Sequence, residues 1–193
     1  MHCIQALPEG YREILALDLQ KDKKAALIVN GLSLIPFFLF LYLGLIQEPI
    51  RLSVDSSHGL GIYFLRLGVM LAGTIAYVVL HELTHAAVMK AYGARKLRFG
   101  FTGLYAYAGS VEDFFDKQAH RNIALAPVLL WLAIFWALSA LVPRDWFWVV
   151  WFWQIMNVAG AAGDIFVTLR FLTLPRDILV KDTGVSMTIY SAK

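Results

Sequence analysis

His81, Glu82 and His85 spell the pattern HExxH inside the stretch YVVLHELTHAAVMKAYG, Tyr77 to Gly93. On a helix, residues i and i+4 differ by about 40° of rotation, so both imidazoles leave the same side and can share one metal ion. The glutamate beside the first histidine can then reach a water activated by the metal, take its proton and pass it to a leaving amine. This spacing points to zinc-dependent peptide hydrolysis, with His81 and His85 as ligands and Glu82 as general base. The competing reading is a helix end where three polar side chains are merely solvated.

A third ligand is offered by Asp164, which interrupts an apolar run. A carboxylate at that place costs roughly 2.5 to 3.5 kcal/mol in a membrane unless it finds a partner. Counted back from Gly93 and from Pro175, the two histidines and Asp164 all lie on the order of 12 to 18 Å from the ends of their helices. Two histidines and a carboxylate at one depth make a three-ligand zinc site with a fourth position open for water. Asn157, Gly160, Ala161 and Asp164 fall on one small-residue face that allows close helix approach. The alternative is that the glycines only pack helices while Asp164 pairs with Arg66 or Arg170.

The elements that must position these groups read as membrane spans. Of 193 residues, 59% are hydrophobic and 16% charged, whereas a soluble domain carries about a quarter charged residues. Four apolar runs stand out: Ala25 to Ile46 with Pro36, Leu60 to Leu80 continuing through HExxH to Gly93, Ile123 to Val142 with Pro127, and Trp146 to Leu169. Each is long enough at about 1.5 Å per residue to cross a hydrocarbon core of about 30 Å. The tryptophans at the start of the fourth run resemble an interfacial belt, and lipid contact or core packing suits them better than a ligand cage.

Lysine and arginine counts orient the spans. Four lie ahead of the first span, six from Lys90 to Arg121 and four from Arg170 onward, against Arg51 and Arg144 alone in the other two loops. The positive-inside rule therefore predicts both termini and the central loop in the cytoplasm, with the first span as an uncleaved signal anchor. The basic balance, a net charge of +3, follows from this topology and not from nucleic-acid binding. The single cysteine excludes a thiolate metal cluster and an internal disulfide.

The expected fold is thus an all-α integral membrane protein of about four transmembrane helices. A short cytosolic β-hairpin, Lys96 to Tyr107, lies between the second and third, followed by an amphipathic helix or turn capped by Ser110. The whole chain, 1–193, reads as one membrane-embedded domain: a cytosolic segment 1–24, a membrane core 25–174 and a cytosolic tail 175–193.

The run HELTHAAVMKAYGARKLRFGF resembles the metal motif and following segment of site-2 proteases, which are intramembrane zinc metalloproteases. ALAP at Ala124 to Pro127, together with Asn157 and Asp164, extends the similarity over about residues 60 to 185. The four-span length and the Gly163–Asp164 pair are similar to a bacterial family of membrane zincin peptidases. The resemblance implies Zn2+ held by His81, His85 and Asp164, Glu82 as general base, and Asn157 at the substrate carbonyl or its oxyanion. It implies a membrane-protein or peptide substrate drawn out as a strand along the hairpin, and a place in the bacterial cytoplasmic membrane. One departure is clear: the proline that site-2 proteases carry between the asparagine and the aspartate is missing.

Two other functions fit the same residues, a non-catalytic membrane protein with a structural or partner-binding metal site, and a transporter using the triad as a metal or proton path. The chain has no inverted repeat of the kind carriers show. Of the remaining candidates, His120 reads as an interfacial histidine, His58 and His2 as too remote, and Thr84 as packing or bonding to its own helix.

Overall fold

The protein is described here by a computed structural model covering residues 3–18, 21–50, 59–103 and 105–192. His2, His58 and the loop cation Arg51 lie outside the described residues.

Apolar stretches build the framework. The helices α1 (Lys23–Gln47), α2 (Gly59–Ala91) and α3 (Lys117–Leu141), and the helical stretch Arg144–Leu172, are each long and apolar enough to cross a membrane. Side-chain caps set the starts of α1 and α3. Asp22 accepts from the backbone N–H groups of Lys24 and Ala25, and Asp116 from that of Ala119. The third helix therefore begins at Lys117, ahead of the expected Ile123, and Ser110 caps no helix. Its hydroxyl donates to Asp113, which also accepts from the Arg95 backbone.

The fourth run is not one helix. After a turn at Arg144–Trp146 it forms α4 (Phe147–Gly160), breaks at Ala161, and resumes as α5 (Ala162–Phe171). Gly160 and Gly163 flank the break, and glycine favours a helix less than any residue but proline.

Tryptophans on α4 dock the other helices. The Trp151 indole N–H donates to the Phe40 carbonyl of α1 at 2.8 Å, and that of Trp153 to the Met70 carbonyl of α2 at 3.0 Å. Each ring sits in a notch made by a glycine. A Cβ on Gly44 would lie 2.3 Å from Trp151 Nε1, and one on Gly73 2.0 Å from Trp153 Cζ2. Trp151 is fully buried and stacks on Phe147 with 5.2 Å between ring centroids. Of the two roles expected for these tryptophans, core packing is the one they serve.

The all-α expectation needs correction. The hairpin is present as β3 (Leu97–Phe101) and β4 (Ala106–Ser110), paired with Phe99 opposite Ala108. Beside it stands a five-stranded antiparallel sheet in the order β1-β5-β6-β7-β2, comprising β1 (Cys3–Ile4), β2 (Arg12–Leu17), β5 (Phe114–Asp116), β6 (Leu179–Asp182) and β7 (Met187–Ser191). Its strands come from both chain ends and from the segment ahead of α3. None exceeds six residues, so none shows a strong periodic pattern alone. The sheet is held by inward side chains, with Val180, Met187 and Ile189 packing on Phe171 and Ile178. The expected tail 175–193 thus contributes two strands to this core.

The glycine notch is open to test. Gly73→Ala should destabilise the protein by ~1–3 kcal/mol through overpacking against Trp153. Gly68→Ala, on the same helix with nothing near its Cβ, should be neutral or gain up to ~1 kcal/mol of helix stability. Thermal unfolding in detergent compares them, and equal melting temperatures would refute the notch.

Candidate metal centre

The helix period brings His81 and His85 to one side of α2, and the break at Ala161 delivers Asp164 to them in the first turn of α5. There the helix dipole favours a negative charge. One oxygen of Asp164, Oδ2, lies 3.5 Å from His81 Nε2 and 3.6 Å from His85 Nε2, and the three possible ligand atoms all fall within 4.8 Å of one another. An N–H···O hydrogen bond is about 2.7–3.2 Å long, so the carboxylate is bonded directly to neither ring. Two ligands of a tetrahedral zinc ion, each about 2.0–2.2 Å from the metal, stand about 3.4 Å apart. The two Asp164–histidine distances match that separation. Two neutral imidazoles and a carboxylate are also a donor set that zinc accepts.

The far nitrogen of each ring is held as well. His85 Nδ1 lies 2.9 Å from the Ile123 carbonyl of α3. A carbonyl only accepts, so the ring proton is on Nδ1 and the Nε2 lone pair faces Asp164. That carbonyl is available because of Pro127. Four residues on, proline has no N–H to complete the usual helical bond to Ile123. His81 Nδ1 lies 3.0 Å from the Tyr77 hydroxyl, which donates to Asn157 Oδ1 at 2.9 Å. Asn157 Nδ2 in turn donates to the Val128 carbonyl at 3.0 Å.

Next to the three groups opens a cavity of about 830 Å3, lined by Glu82 of α2, Asn30 of α1, Tyr107 and Ala108 of β4, and Gly184 of the turn joining β6 to β7. The Ala108 backbone amide is directed at the Glu82 carboxylate. β4 is pressed against that turn so closely that a Cβ on Gly109 would lie 2.2 Å from the Thr183 carbonyl carbon. Gly184, at φ +83°, adopts a left-handed turn conformation open to glycine at no steric cost.

The structure therefore brings together His81, His85 and Asp164, with Glu82 on the same cavity. Asn157 is close but fully buried, and both ends of its amide are engaged by Tyr77 and Val128. Arg66 pairs with Asp145 at 3.1 Å and lies over the Trp146 ring, so it is not the partner of Asp164. His120 is no exposed interfacial group. It is 2% exposed, its Nε2 lies 2.9 Å from Asp182, and the pair lines the cavity without joining the three ligands. The Thr84 hydroxyl donates to Leu80 of its own helix, as its type and place predict. Tyr77 belongs to no motif, although its position four residues before His81 puts it on the same helix face. Ile123 and Val128 act through backbone carbonyls and leave no side-chain signal.

Two outcomes follow for metal content. The purified parent should hold about one zinc per chain and Asp164→Ala markedly less under identical preparation, as metal analysis would show; equal contents would remove Asp164 from the site. Pro127→Ala restores an N–H that competes for the Ile123 carbonyl, so it should weaken zinc retention in chelator competition by roughly tenfold. It should do so without lowering the melting temperature of the metal-free protein.

Comparison with known proteins bears on the same residues. No curated protein and no solved structure matches the chain. A family model described as "Putative zincin peptidase" matches residues 74–179, more than half of the chain and a range that includes His81, Glu82, His85, Asn157 and Asp164. The chain belongs to this zincin peptidase family.

Proposed function

We propose that this protein is a zinc metallopeptidase of the site-2 protease type, cutting a peptide bond within or beside a bilayer. The observation that carries the reading is the spacing of His81, His85 and Asp164, drawn from two separate helices, with Glu82 on the same cavity.

A zinc ion at these groups supplies a Lewis acid that lowers the pKa of a water and polarises a peptide carbonyl. Glu82 takes the proton of the attacking water as its oxygen bonds to the carbonyl carbon. It then returns that proton to the amine as the C–N bond breaks. The Ala108 amide faces Glu82, and among the described residues the strand carrying it pairs with β3. The outer edge of β3, unpaired among the described residues, belongs to the hairpin whose Phe101 and Tyr107 line the cavity, and it offers backbone hydrogen bonds to an extended substrate segment, which a helix cannot present.

A bilayer setting is supported by the outer surface. Leu27, Ile35, Phe64 and Ile75 are each more than 60% exposed on helices of spanning length, an arrangement that water does not favour. One sheet cannot be divided by a membrane. Because β1 and β2, β5, and β6 and β7 come from the N-terminal segment, the central loop and the C-terminal segment, the sheet supports a topology with all three on one side. The lysine and arginine count supports the cytoplasm as that side.

Cleavage of single-span membrane peptides, read by mass spectrometry, tests the mechanism. Glu82→Gln should lose at least ~100-fold in rate while keeping its zinc. Full proteolysis by that variant would sink the role of Glu82, and a zinc-loaded parent that cuts nothing would leave a non-catalytic metal site.

A further inference from the structure

Tyr77 and Asn157 take no part in the chemistry assigned to Glu82, yet both are buried beside His81, at 6% and 0% exposure. We infer that the Val128 carbonyl, Asn157 and Tyr77 form a positioning relay that holds His81 with its proton on Nδ1 and its Nε2 lone pair toward Asp164. The inference rests on the reading of His81, His85 and Asp164 as metal ligands.

The direction of the relay is forced from one end. The Val128 carbonyl can only accept, so the amide nitrogen of Asn157 faces it at 3.0 Å. That turns Oδ1 of Asn157 toward Tyr77, where it too can only accept, and the Tyr77 hydroxyl must donate across 2.9 Å. With its one proton committed, the hydroxyl can only accept from His81 Nδ1 at 3.0 Å. Reversing any link sets two acceptors or two donors face to face in a buried site, at a cost of about 1–3 kcal/mol. The Tyr77 ring is itself confined, with the rings of Trp131 and Phe135 edge-on at centroid distances of 6.0 and 5.4 Å. His85 obtains the same tautomer from a single backbone carbonyl, whereas His81 reaches one only through two side chains. Of the two ligands, His81 is therefore the one whose tautomer substitution can change.

Zinc dissociation constants for the parent, Tyr77→Phe, Asn157→Ala and the double variant, measured by chelator competition in detergent, test the relay. Tyr77→Phe should weaken zinc binding ~10–100-fold. Asn157→Ala frees the Tyr77 hydroxyl to donate into His81 Nδ1, which moves the ring proton to the metal-facing nitrogen, so its loss should be at least as large. The double variant lacks that wrong donor and should bind zinc no more weakly than Asn157→Ala alone. Independent structural damage predicts instead that the two losses multiply, which would overturn the relay. So would unchanged affinity in both single variants; if Asn157→Ala keeps its zinc but loses turnover, Asn157 belongs at the substrate carbonyl. The 15N shifts of His81 in metal-free protein give a second readout: Nδ1–H in the parent, moving toward Nε2–H in Asn157→Ala. A parent that binds no zinc overturns the metal-site reading, and the 15N shifts then still decide the relay.

Discussion

A carboxylate inside an apolar helix needs a cation or a set of donors, and Asp164 stands with two imidazoles of another helix in a group that could hold a shared metal ion. Much of the structure serves this meeting. Asp164 stands in the first turn of α5, just past the interruption at Ala161, and the tryptophans of α4 hold α1 and α2 in place through glycine notches. Lys117 of α3 donates to the carbonyls of Leu174 and Pro175 just past the end of α5, tying that helix down. Imidazoles and carboxylate come from elements with independent anchors, so their 3.5 and 3.6 Å separations are set by packing and not by attraction between them alone.

α3 contributes no ligand, yet its backbone disciplines both histidines. Pro127 leaves the Ile123 carbonyl without its usual helical donor, and His85 takes its place. Val128, five residues after Ile123, anchors the bonds that run through Asn157 and Tyr77 to His81. A proline within an apolar span, which by sequence reads as a kink, supplies a free acceptor at the depth where a ligand needs one.

The strands close the site from the other side. β4 lies between Glu82 and the turn joining β6 to β7, with Gly109 small enough for the Thr183–Gly184 backbone to pack on it. His120 and Asp182 join the start of α3 to the end of β6 on the same cavity wall. The two chain ends are thereby built into the architecture around the cavity, which a reading of them as loose segments misses.

The HExxH spacing, the carboxylate inside the fourth apolar run and the four apolar runs themselves carry their meaning in residue type and period, so the sequence by itself determined the family, the four long helices and the three candidate ligands. The sheet was illegible because strands of two to six residues drawn from distant segments show their alternation only once they pair. The break in the fourth run was not legible either: Gly160 and Gly163 read as close-packing positions, yet a Cβ on either would meet nothing within 4 Å, and glycine type alone does not distinguish a helix interruption from a contact. The partners of Asn157 were also beyond the sequence: its residue type suits a hydrogen bond to a carbonyl, but only tertiary structure decided that Tyr77 and Val128 engage both ends of its amide. Hydrogen-bond partners supplied by backbone carbonyls have no side-chain identity to read, and they become visible only when the helices are packed together.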